Sequence, residues 1–196
     1  MEFAILGPVE VRAGDATVEI RRGITRRLLV ALLMHAGRTV TATALTELLW
    51  GNHLPQHPEN ALHVQMSYLR KVLTDSADGA QPLVTRPGGY SLDIAPEQLD
   101  SWLFERRLRE AETVSMRSTA ADLATAAAIL DEALALWRGE PLADVAGEQF
   151  ALGEIARFEE LRRAAVETRV DVLLDLGRHR ELVGELSRLL DAHPLQ

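Results

Sequence analysis

The chain has 196 residues, 47% of them hydrophobic, a formal charge of −8 and no cysteine. That length admits one large domain or two small ones with a core in each, while the missing cysteines exclude disulfides, thiolate nucleophiles and cysteine metal sites and fit a reducing cytoplasm. Residues 1–95 carry nine Arg or Lys against nine Asp or Glu, and residues 96–196 twelve against twenty, so the acidity of the second half is largely screened from the first at a Debye length of about 8 Å and does not exclude a nucleic-acid partner there.

In chain order, MEFAILGPVEVRAG has no basic segment ahead of its short apolar run, so no signal peptide is expected. The runs EFAIL, VEVR and TVEI, broken by Gly7-Pro8 and by Ala13-Gly14-Asp15, predict a small antiparallel sheet. Leu28, Leu29, Leu32 and Leu33 then fall on one helical face that stops near Gly37. RLLVALLMHAG is the most apolar segment, but Arg26, Arg27 and His35 bracket it too closely for a membrane span. Thr43 is expected to cap a second, short helix with Leu45, Leu48, Leu49 and Trp50, and GNHLPQHP reads as a loop. Pro58 suits the first turn of a third helix that runs to about Leu73.

In that third helix, PENALHVQMSYLRKVL, Leu62, Met66, Leu69 and Leu73 share a sector about 60° wide at 100° per residue. This is the core face. Opposite lie Asn60, Val64, Ser67 and Lys71, with His63 and Tyr68 on the shoulders and Gln65 and Arg70 nearer the border. Amide, hydroxyl, methyl and cation on one stripe are groups that read base edges and hold phosphates, although a solvated helix surface has the same composition. The stretch PLVTRPGGYSLDI that follows predicts a hairpin turning through Pro87, Gly88 and Gly89. Arg86, directly ahead of those glycines, is either a solvated edge charge or a probe for an anion. Short helix, turn, longer helix and glycine-tipped hairpin together match a winged helix-turn-helix.

From Pro96 onward the texture is alanine, leucine, arginine and glutamate at helical period, which places a domain boundary near Ala95. WLFERRLREAET, TAADLATAAAILDEALALW and FALGEIARFEELRRAAVETRVDVLLDLG predict helices resembling tetratricopeptide-type hairpins, with Trp102, Phe104, Trp137, Phe150 and Phe158 as core anchors. Arg106-Arg107 and Arg162-Arg163 are expected on solvated faces, paired with glutamates one helical turn away. His53, His57 and His63 are not aligned for a metal, because Pro55 and Pro58 interrupt them, and no nucleophile elbow, phosphate loop or dinucleotide fingerprint occurs. No enzyme activity and no cofactor is expected.

Residues 1–95 resemble the OmpR-type winged helix in TELLWGN (46–52), NALHVQMSYLRKVL (60–73) and LVTRPGGYSL (83–92). Residues 96–196 resemble the bacterial transcriptional activation domain of the Streptomyces antibiotic regulatory protein family, also called AfsR-like, in EALALWRGEPLADV (132–145), RFEELRRAAVETRVDVLLDLGRH (157–179) and ELVGELSRLLDAHPL (181–195). The resemblance implies a mainly α fold with a small β component, a winged helix followed by an all-α domain. It further implies a cytoplasmic activator of secondary-metabolite genes that binds direct repeats of double-stranded DNA near promoters, as a head-to-tail dimer on DNA, and helps recruit RNA polymerase holoenzyme. The recognition helix would bring Asn60, His63, Ser67 and Tyr68 near base edges, with Val64 on the same stripe, and Gln65, Arg70 and Lys71 near phosphates. Arg86 would be the wing contact, and Arg26 and Arg27, where the family is richer in lysine, would serve phosphates. The family's activation domain continues through further helices, so the chain is expected to be an N-terminal fragment or a short form. A protein-binding adaptor whose winged helix no longer contacts DNA is the alternative.

Overall fold

The computed structural model describes residues 1–75, 81–179 and 182; apart from Leu182, the expected helical stretch at 181–195 lies outside the described residues. The chain forms two compact units, one made of Met1–Trp102 with Arg138–Ala156 and the other of Leu103–Trp137 with Arg157–Gln196.

The first unit opens with an antiparallel sheet of β1 (Glu2–Ala4), β2 (Glu10–Ala13) and β3 (Ala16–Thr17), in that order, with Phe3 opposite Val11. Alternation turns Phe3 and Val11 inward and leaves Glu2 and Arg12 outside. Helix α1 (Ile24–Met34) follows, and every residue from Leu28 to Leu33 is buried. One apolar face was expected. The burial is wider because α2 (Ala42–Trp50), α3 (Pro58–Asp75) and strand β6 (Gly89–Leu92) all pack against α1.

Between α1 and α2 the chain forms a strand without a counterpart in the sequence reading, β4 (Val40–Thr41). It is two residues long, too short to carry an alternating pattern. It pairs with β6, which pairs in turn with β5 (Leu83–Arg86), giving the order β4-β6-β5. The cap of α2 is Thr41 rather than the expected Thr43. Thr41 leaves β4 in an extended conformation, and its hydroxyl accepts a hydrogen bond from the Ala44 amide at 3.1 Å.

The first unit also takes in residues beyond the expected boundary at Ala95. The Asp100 carboxylate accepts hydrogen bonds from the amides of Ile5 at 2.8 and 2.9 Å and of Leu6 at 2.9 Å. Residues 138–148 return to the connection between β1 and β2: the Arg138 amide donates to the Leu6 carbonyl at 2.8 Å, the Leu142 amide to the Ile5 carbonyl at 2.9 Å, and the Val9 amide to Asp144 at 2.6 Å. Leu142, fully buried, holds a left-handed conformation at φ 54°.

Helices supply the second unit: the greater part of α4 (Asp100–Ser115), then α5 (Ala120–Leu134) and most of α6 (Leu152–Asp175). Small residues at the contacts, Ala111, Ala126, Ala127, Ala133 and Ala165, are buried. Phe104 and Phe158 are core anchors as expected, with the Trp137 ring edge-on to Phe104 at 5.4 Å, whereas Trp102, Trp137 and Phe150 are only half-buried. Arg163 pairs one turn away, with Glu160 at 2.8 Å, but Arg107 reaches Glu132 on α5 and Arg162 lies over the Trp137 ring at 4.9 Å. Packed helices bring distant carboxylates and rings as close as those one turn along.

Candidate nucleic-acid interface

Pro58 opens α3 and Glu59 lies in its first turn, where a carboxylate complements the helix dipole. Leu62, Met66, Leu69 and Leu73 are buried against the body of the first unit, no more than 1% exposed. Asn60, His63, Val64, Ser67 and Lys71 are exposed on the other side, Val64 at 64%. A valine that open to water has no packing role, and Lys71 forms no ion pair among the described residues.

Each flank of that stripe is tied to a neighbouring element. Toward the wing, Arg70 donates from Nη2 to the Thr85 hydroxyl at 2.9 Å and from Nε to the Leu83 carbonyl at 3.4 Å, and the His63 ring stands edge-on to Tyr90 at 6.4 Å. Toward α1, the Thr25 hydroxyl donates to Gln65 Oε1 at 2.6 Å, and the Arg21 guanidinium lies over the Tyr68 ring, 4.7 Å from its centroid. Gln65, Tyr68 and Arg70 thus brace the helix between its neighbours.

The wing turns through two residues, Pro87 and Gly88, since Arg86 and Gly89 face each other in the ladder. Gly88 has φ 80°, the value a type II turn requires after a proline. Gly89 does not belong to the turn. A Cβ there would collide with the Val40 carbonyl oxygen, so glycine is what lets β4 pair with β6. Arg86 lies back along the hairpin, away from the turn, where its Nη2 pairs with Asp93. The second oxygen of Asp93 accepts from the buried Ser91 hydroxyl. That hydrogen bond, with the Arg86 pair and against partial desolvation, holds the Asp93 carboxyl below the ordinary carboxylate range.

Arg26 and Arg27 are engaged elsewhere. Thr25 turns toward α3, and the next two residues sit about 100° and 200° further round the helix. Arg26 donates from Nη1 to Asp144 at 2.7 Å and to the Val9 carbonyl at 3.1 Å, and from Nη2 to the Ile20 carbonyl at 3.2 Å. Arg27 pairs with Glu148 at 2.7 Å. The two carboxylates lie 118 and 121 residues away, a distance no local pattern spans. The residues the sequence reading passed over are Arg21 and Thr25. The signal for them was present in IRRGITRR, but nothing local in that run of four arginines separates Arg21, which reaches α3, from Arg26 and Arg27, which pair elsewhere. Among the described residues no group of three or more His, Asp or Glu side chains is placed to hold a metal ion.

This arrangement has relatives. Residues 22–92 match the model of the C-terminal domain of transcriptional regulatory proteins, and residues 99–196 that of the bacterial transcriptional activator domain. Regulatory protein DnrI of Streptomyces peucetius is 35% identical over 205 aligned residues, which take in the whole chain and 73% of DnrI. The chain belongs to the AfsR-like family. Regulatory protein AfsR of Streptomyces griseus is 36% identical over 196 residues, and the chain spans about a fifth (19%) of that protein's length. The structure of Mycobacterium tuberculosis EmbR in complex with a low-affinity phosphopeptide superposes with a TM-score of 0.90 at 25% identity, over all of this chain and 51% of EmbR. AfsR-like proteins are transcriptional regulators, and this member has their winged helix and helical activator domain. No helix among the described residues is long and apolar enough to cross a membrane.

Proposed function

We propose that this chain is a sequence-specific DNA-binding transcriptional activator, or the N-terminal part of one, that inserts α3 into the major groove and lays the β5–β6 wing on the adjacent backbone. The observation that carries this reading is the exposed stripe Asn60, His63, Val64, Ser67 and Lys71, backed by a fully buried face and braced on both sides. Asn60, His63 and Ser67 supply donors and acceptors for base edges, Val64 a methyl surface for thymine, and Lys71 a phosphate contact. Arg86 supplies the wing contact once a phosphate replaces Asp93 as its partner. A single winged helix covers a short site, so two protomers bind head to tail on direct repeats about one helical turn apart. The likeness to DnrI and AfsR supports promoters of secondary-metabolite genes as targets, and the helical domain then serves recruitment of RNA polymerase.

The test is to let the full chain select duplexes from a random-sequence pool and to measure affinity for the selected duplex and a scrambled one across a salt series. The expected result is a linear fall of log K with log salt, about 0.9 for each phosphate contact, and a preference for the selected sequence. An adaptor would select no sequence and show no such fall, and either result would overturn the proposal.

A further inference from the structure

α3 has two flanks, and the wing with Arg86 covers one of them. The other is occupied by the start of α1, where Thr25 bonds Gln65, and by the segment just before it, whose Arg21 guanidinium stacks on Tyr68. Arg21 and its neighbour Arg22 are exposed and form no ion pair among the described residues, unlike Arg26 and Arg27. A helix lying in a major groove has a phosphate strand on either side, and the groove is about 12 Å wide, so a cation on each flank matches the two strands.

We propose that Arg21 is a DNA-backbone contact of this chain, held in place by the face of Tyr68, so that Tyr68 acts as a positioning residue and not as a reader of bases. The stacking leaves the guanidinium edge, where its hydrogen-bond donors lie, free for a phosphate. An arginine on a mobile loop would lose rotamer freedom on binding. Stacked on a ring it has surrendered that freedom beforehand, and the ring is carried by the helix that enters the groove.

This inference rests on the DNA-binding reading, and a neutral substitution tests it separately. Tyr68→Leu removes no charge, yet it should lower the slope of log K against log salt on the selected duplex by about 0.9, the loss of one phosphate contact. Arg21→Ala should lower it equally, the double variant should lower it no further, and Tyr68→Phe, which keeps the ring, should retain the wild-type slope. Thermal unfolding of each variant shows whether the fold persists; should Tyr68→Leu not fold, Arg21→Ala and Tyr68→Phe decide. If the wild-type chain binds the duplex with its salt dependence and Arg21→Ala leaves the slope unchanged, the inference is wrong and the DNA-binding reading stands. If the wild-type chain shows no salt-dependent binding, both fall.

Discussion

Ser67 sits near the middle of the exposed stripe of α3, outside its buried face of Leu62, Met66, Leu69 and Leu73. Removing its hydroxyl deletes a potential base contact and nothing that holds the helix. Ser67→Ala should therefore leave the melting temperature unchanged while reducing discrimination between selected and scrambled duplexes by about 1–3 kcal/mol, read from competition binding. Asp93 offers a second measurement at this scale. Its carboxyl titrates below the usual range, chiefly because the Ser91 hydroxyl donates to it, with Arg86 adding to the effect. A depressed carboxylate contributes stability above its unfolded value, and that contribution is lost as pH falls through the folded value. Ser91→Ala should move the Asp93 titration upward toward the ordinary carboxylate value, as carboxyl NMR would record; an unmoved titration would refute the assigned cause. Single residues were legible in the sequence where the helix alone decides their side. Asn60, Val64, Ser67 and Lys71 are exposed as the 100° rule expects. Arg26, Arg27 and Arg86 were legible as cations but not in their engagements, because Asp144, Glu148 and Asp93 reach them only through the fold.

The elements of the wing show the same division between local and distant causes. The hairpin was legible from Pro87 and Gly88, a local turn signal, and α3 from an unambiguous period. Strand β4 was not, since a two-residue partner is defined by what it pairs with. The two glycines of the wing consequently fail differently when given a side chain. Gly88→Ala forces a positive φ on alanine and should cost about 1 kcal/mol. Gly89→Ala drives a methyl into the Val40 carbonyl and should cost about 3 kcal/mol, the upper end for overpacking, with loss of the β4–β6 pairing. Denaturant unfolding gives the ranking, and amide exchange at Val40 and Tyr90, the hydrogen-bonded pair of the ladder, shows whether the pairing is lost; equal costs would mean that β4 has room to withdraw.

At the scale of the molecule, the N-terminal sheet is held by residues that follow the winged helix in sequence. Asp100 is the central group. Burial raises its pKa above the ordinary carboxylate value, and the amides of Ile5 and Leu6 and the Arg138 guanidinium offset that rise only in part. Between the unfolded value, about 3.9, and the higher folded value the native chain holds a proton that the unfolded chain has lost, so the contribution of this group to stability falls as pH rises through that window. Asp100→Asn should remove that slope from the stability-pH curve; a slope of the same size in the variant would show that another group carries it. The texture change near Ala95 did not reveal this packing, because a change of composition marks where helices begin and not which unit their first residues join.

Residues 138–148, which bond the β1–β2 connection at Ile5, Leu6 and Val9, also set an order of events during synthesis. When Trp102 leaves the ribosome the winged helix has all its own elements, but Asp144 and Glu148 have yet to be made, and Arg26 and Arg27 are without their partners. Translation at about 5–20 residues per second delivers those carboxylates some seconds later. For that interval the nascent first unit carries two cations on α1 without their carboxylate partners, and a β1–β2 connection whose Val9 amide and Ile5 and Leu6 carbonyls await theirs. The polypeptide made last among these segments therefore neutralises and closes what was made first, and a chaperone or polyanion that engages the nascent chain has that interval in which to do so.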